Sequence, residues 1–242
     1  MIQESQRAVV IIILLTVASV TGVQRLVKPA APVVIYASQS GKSTLDQGEG
    51  GGNPFASALI ELLARPSLTY TEFRAGLIAL TKEKSRGFQM PDSSTLVDSS
   101  QWRMKPISAS ANRVALVFVY SDYGKAGVAS LPGAKRDLIR VVHALKGAGF
   151  DVRSAVDPKE NELRAALNSL SRRSQKAEAA IIYLTGHGFE HQGQVYLLPN
   201  DQPFSGGSQR IPELAIHVPS LGAYLKARSA NLVLFGGCRT YM

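Results

Sequence analysis

The chain has 242 residues, 45% hydrophobic and 19% charged, a globular composition rather than a disordered one. Its 27 Lys and Arg outnumber 18 Asp and Glu, giving a formal charge of +9, and it has one cysteine. That single cysteine excludes an internal disulfide framework and a multi-cysteine zinc site. The basic residues are scattered, with no run of five and no interleaved aromatics. They argue against a nucleic-acid partner and leave a solvated basic face or attraction to anionic lipid.

Residues 1–7 form a polar head, and residues 8–23 an uncharged, mostly apolar stretch. Its sixteen residues fall short of the about 20 of a typical span, yet suffice for the apolar core of an export signal. The segment reads as an N-terminal apolar anchor helix in a membrane, with a cleaved signal peptide as the alternative. Basic residues on both sides leave its orientation open. Residues 24–32 carry Arg25 and Lys28 and end in Pro-Ala-Ala-Pro, a stiff linker.

Residues 33–37 read as a short buried strand, and 38–54 as a loop dense in Ser and Gly. Asn53-Pro54 supplies a cap and a helix-starting proline for a helix over 55–64. A second amphipathic helix is expected over 69–84, burying Phe73, Leu77, Ile78 and Leu80 and ended by Gly87. Residues 89–110, with the only Trp at Trp102, read as a connector. A second block follows: strands over 114–120, 152–156, 179–185 and 232–235, helices over 133–149, 160–171 and 218–228, and part of a hairpin over 194–198. Strands alternating with helices, those over 114–120, 179–185 and 232–235 being apolar runs, indicate an α/β fold with a mostly parallel sheet covered on both faces. Functional groups in such sheets gather beyond the carboxyl ends of the strands.

Two strands end in chemically loaded turns, Gly186-His187-Gly188 and Gly236-Gly237-Cys238-Arg239. A thiol becomes a strong nucleophile when a neighbouring imidazole takes its proton. Flanking glycines let a substrate backbone approach and expose N–H groups to an oxyanion. One helical crossover separates the two strands, so His187 and Cys238 are expected at neighbouring strand ends.

The segments RVALVFVYSDY, LPGAKRDLIRVVHALKGAGFDV, YLTGHGFEHQGQVYLLPND and NLVLFGGCR make residues 113–239 resemble the large-subunit half of the caspase-like cysteine peptidases, the clan of caspases and bacterial metacaspases. A caspase histidine lies about 50 residues upstream of the cysteine; here the gap is 51. The resemblance implies a peptidase without cofactor or metal, acting on protein or peptide. Cys238 would be the nucleophile and His187 the proton carrier, with the Gly188 and Cys238 amides as the oxyanion site. VVIYASQSGKSTLDQGEGGGNPFASALIELLARP and residues 69–96, ending QMPDSSTL, are similar to the family's small-subunit half, which ordinarily follows the cysteine. The chain therefore looks circularly permuted: a small-subunit-like half at 33–97, a connector at 98–112 and the His/Cys half at 113–242. A fragment of a tandem pair would give the same order. In a permuted chain the joint that many relatives must cleave is already open, so no cleavage between the halves is expected.

The resemblance also points to a substrate pocket. Metacaspase-type relatives often carry an acid two residues before the cysteine, where this chain has Gly236. A second acidic position matches Asp46, with Glu49 a weaker candidate, and one carboxylate still favours cleavage after Arg or Lys. Asp46 also suits a turn-forming role. The rival reading is a catalytically inactive, membrane-tethered scaffold. A third, a nucleotide switch, rests on Gly41-Lys42-Ser43-Thr44, which lacks the earlier glycine of a phosphate loop because Tyr36 stands there. His191 reads as a surface histidine in a Gly-rich turn; His143 and His217 have no evident partner, and Arg239 either steadies the nucleophile loop or faces solvent.

Overall fold

The computed structural model describes residues 29–48, 51–93, 111–201 and 210–241. The anchor segment at 8–23, Glu49, Trp102 and most of the 98–112 connector lie outside the described residues. No helix among the described residues is long and apolar enough to cross a membrane.

In chain order, β1 (Pro32–Tyr36) is followed by α1 (Pro54–Ala64), α2 (Tyr70–Lys84) and the short β2 (Asp92–Ser93). Then come β3 (Arg113–Val119), α3 (Pro132–Gly147), β4 (Asp151–Val156), α4 (Glu160–Ser174) and β5 (Ala179–Thr185). After β5 the chain makes β6 (Gly188–His191), β7 (Gln194–Leu197), the one-turn α5 (Ile211–Leu214) and β8 (Ile216–His217). It closes with β9 (Ala230–Phe235) and β10 (Thr240–Tyr241).

The main sheet has the order β2-β1-β9-β5-β3-β4, and a smaller one the order β10-β6-β7-β8. In the main sheet only β2 runs antiparallel to its neighbour. β5 and β9 are adjacent and parallel, with Leu184 opposite Phe235, so their loaded turns emerge side by side. On the far side of β9, β1 pairs in parallel register, Val33 opposite Leu232.

The strand pleat divides the core in two. Val33, Ile35, Ile181 and Tyr183 face α1, α2 and α3; Val34, Tyr36, Ile182 and Leu184 face the side covered by α4. β3, β5 and β9 are buried along their whole length, which accounts for their largely apolar sequences. Helix starts follow local chemistry: the Asn53 side chain accepts from Phe55 N, and Thr69 and Glu72 form a capping box.

Two sequence expectations change. Residues 218–228 do not form an α-helix; Val218–Tyr224 is a 3-10 helix and Leu225 is already extended. Gly222 fits there because Pro32 packs within 2.9 Å of where its Cβ would stand, so this turn is shaped by the chain entering β1. In α2 the fully buried positions are Tyr70, Phe73, Leu77 and Thr81, while Ile78 and Leu80 are only half-buried.

Candidate active site

The β5 and β9 turns pack backbone against backbone. A Cβ on Gly188 would stand 2.6 Å from the Cys238 carbonyl, and one on Gly237 2.7 Å from the Gly186 carbonyl. Glycine is therefore required at both places, and the two candidate oxyanion amides belong to touching segments.

His187 is held from three sides. Its N–H donates to the Tyr123 hydroxyl at 2.9 Å, and that hydroxyl donates to the Leu198 carbonyl at 2.8 Å. Burial pushes the Tyr123 phenol well up, so it stays protonated and able to donate. The Tyr123 ring meets the imidazole edge-on, centroids 4.5 Å apart. His187 Nε2 lies 2.7 Å from the Ala129 carbonyl. A carbonyl only accepts, so this bond places the proton on Nε2 and leaves Nδ1 as the basic nitrogen. The loop carrying Tyr123 and Ala129 is fixed in turn by Asp157, whose carboxylate accepts from Ser121 N at 2.6 Å and Asp122 N at 3.2 Å.

Cys238 is free and partly exposed. Its Sγ accepts the Thr44 N–H at 3.3 Å and lies 3.4 Å from Thr44 Oγ1. The loop after β1 is tied to the same turn by paired backbone bonds, Gly41 N to the Arg239 carbonyl and Arg239 N to the Lys42 carbonyl, both 2.9 Å. This pairing, with no helix among the described residues between Gly41 and Pro54, gives Gly41-Lys42-Ser43-Thr44 no phosphate-loop geometry. Arg239 does not face solvent. Its buried guanidinium reaches Glu190 at 3.1 Å, Asp92 at 3.1 Å and the Ser38 carbonyl at 3.3 Å, and stacks over the Tyr36 ring.

His187 and Cys238 line one cavity of about 130 Å³, together with Thr44, Asp46, Asn53 and Asp137. Asp46 stands in its wall, but one carboxylate oxygen accepts from Gly133 N at 2.9 Å. It thereby caps α3, whose own preceding residue supplies no side-chain cap.

Asp137, which the sequence reading passed over, is the second carboxylate of this cavity. It is 1% exposed, accepts Asn53 N at 2.9 Å and pairs with Arg140 at 3.3 Å. Burial pushes its pKa from 3.8 up to about 7; the Asn53 N–H and Arg140 oppose the rise, and Asp46 adds to it. The signal was present: Asp137 sits among Ala134, Leu138, Val141 and Leu145, on the stripe that faces the core. The remaining histidines stay apart from the cavity. His191 ends β6, and His217 is bonded to Gln194 at 2.8 Å with its pKa lowered by burial.

Residues 112–239, more than half of the chain, match the family model of the caspase domain, Peptidase C14. No curated protein matches the chain.

Proposed function

The chain belongs to the caspase-domain peptidase family, and from that premise we propose that it is a cysteine endopeptidase cleaving after Arg or Lys. The observation that carries the reading is the shared cavity: a free thiol, an imidazole with a fixed tautomer, and two carboxylates. In the proposed reaction His187 Nδ1 takes the Cys238 proton as Sγ attacks the scissile carbonyl carbon. The Gly188 and Cys238 amides stabilise the oxyanion. The proton then passes to the leaving amine, and water hydrolyses the thioester to release the acid and restore the thiol. Asp137 and Asp46 give the pocket its preference for a cation.

We also read the domain as circularly permuted. The register of β1 against β9, and β2 closing the sheet beyond β1, support this reading, since the small-subunit-like strand then follows the nucleophile strand in space. The uncut chain should therefore be active without cleavage between its halves. Residues 8–23 are read as its membrane anchor on composition.

The test is labelling of uncut protein by a peptidyl chloromethyl ketone ending in Arg. Labelling lost in Cys238→Ala and His187→Ala, and weaker with an Asp-ending reagent, is the expected result. Wild-type protein that reacts with neither reagent would instead establish a scaffold. Reaction only after internal cleavage would sink the claim of constitutive competence.

A further inference from the structure

Between α2 and β2 the ordinary sequence pattern is inverted. Phe88 is 56% exposed and Met90 37%, while Gln89 between them is fully buried. A carboxamide leaves water at a cost unless its donors and acceptor are met. Here Oε1 accepts the Leu45 N–H at 2.9 Å, and Nε2 reaches the Ala37 carbonyl at 3.5 Å and Asn53 Oδ1 at 3.4 Å. The Gln89 backbone is pinned as well, its N–H donating to Ser85 Oγ at 2.8 Å.

One side chain thus joins the end of β1, the loop after it and the cap of α1. Two of the three, at Leu45 and Asn53, lie one residue or one bond from the chemistry. Leu45 stands between Thr44, whose N–H meets Cys238 Sγ, and Asp46, which caps α3 at the pocket wall. Asn53 donates from Nδ2 to the Gly236 carbonyl at 2.9 Å, two residues before Cys238, and its N–H meets Asp137.

We propose that Gln89 is a positioning residue for the substrate loop, setting Leu45 so that Thr44 and Asp46 frame the pocket around Cys238. The inference rests on the peptidase reading and adds to it a residue outside the cavity lining. Gln89→Met is close in volume and removes all three polar contacts; Gln89→Glu keeps the acceptor for Leu45 N–H but offers no donor to Ala37 or Asn53. The measurement is the rate of Cys238 alkylation by two reagents, iodoacetamide, which needs only the thiol, and the Arg-ending chloromethyl ketone, which needs the framed pocket.

Gln89→Met should lose about tenfold or more with the peptidyl reagent while iodoacetamide changes less than about twofold, because misplaced binding groups cost rate without altering the nucleophile. Gln89→Glu should fall between it and wild type. An unchanged ratio of the two rates, or an equal fall in both, would overturn the proposal, the latter because it marks a purely structural role. If wild-type protein reacts with iodoacetamide but not with the peptidyl reagent, the peptidase reading fails instead. The tie is then read by hydrogen exchange at the Leu45 amide. Loss of protection in Gln89→Met upholds the tie, and unchanged protection refutes it.

Discussion

Replacing Asp137 by Asn separates what this carboxylate costs the fold from what it gives the pocket. Its folded-state pKa stands near 7 against 3.8, with burial as the main cause. At 1.36 kcal/mol per pKa unit this gap amounts to about 4 kcal/mol. The sign follows from proton uptake. Between pH 3.8 and about 7 the folded protein holds a proton on Asp137 that the unfolded chain has released. Folding stability therefore falls as pH rises across that window, and above it the whole penalty is present. Asn keeps the shape and an acceptor for Asn53 N–H but has no charge to desolvate. Urea unfolding of both proteins at pH 4, 6 and 8 should show the wild type losing about 4 kcal/mol relative to Asp137→Asn between the ends of the series. The same variant should lose about a hundredfold in kcat/KM on an Arg substrate, the usual scale for removing one partner of a buried charge pair. Parallel pH profiles for the two proteins would refute the claim that a desolvated carboxylate sits there. A more stable variant with undiminished activity would refute its place in the pocket.

Three further substitutions probe other parts of the site. Tyr183→Phe should raise stability by about 1 kcal/mol in thermal or urea unfolding, because the fully buried Tyr183 hydroxyl has no hydrogen-bond partner among the described residues; a clear loss would reveal a partner. Arg239→Met strands the buried Glu190 carboxylate and should cost about 3–5 kcal/mol in urea unfolding, with most of it recovered in Arg239→Met combined with Glu190→Gln; a single variant as stable as wild type would sink the argument. Gly188→Ala drives a methyl group toward the Cys238 carbonyl at 2.6 Å and the Phe235 ring at 2.4 Å. It should abolish peptidyl labelling, and labelling at the wild-type rate would mean that the two turns are not in contact.

The elements that could be read from sequence are those fixed by near neighbours. Asn53-Pro54 and Thr69-x-x-Glu72 mark helix starts because capping is local, and β3, β5 and β9 announce a buried parallel sheet because their residues are apolar nearly throughout, with Arg113, Thr185 and Asn231 the exceptions. The placement of His187 and Cys238 at neighbouring strand ends was legible for the same reason, since glycine-flanked residues just past apolar strands form a short-range pattern. What escaped depends on partners far along the chain. Gln89 looks like connector until Leu45 lies against it, 44 residues away. Arg239 shows its role only when Glu190 and Asp92 close around it. The segment after Val218 has helical composition, but packing of Gly222 on Pro32 ends it as a 3-10 turn.

Gly236 shows how such a distant constraint alters a functional reading. From sequence, glycine two residues before the cysteine is a missing acid and hence a weakened pocket. In the fold, a Cβ at Gly236 would stand 3.0 Å from Thr185 Oγ1 and 3.2 Å from the Tyr183 hydroxyl, a tight fit in which these neighbours must give by a few tenths of an ångström. The negative charge enters the cavity from other directions: Asp46 from the loop after β1 and Asp137 from α3. Asp46 has one oxygen committed to the α3 cap, and burial raises the Asp137 pKa to about 7 even with Arg140 beside it. A basic side chain entering the cavity would stabilise ionised Asp137, so binding of the substrate and release of that proton are linked. On the proposed reading, selectivity for a basic side chain rests on a charge that is costly in the empty protein and favourable in the complex, a difference that the residue at position 236 alone does not register.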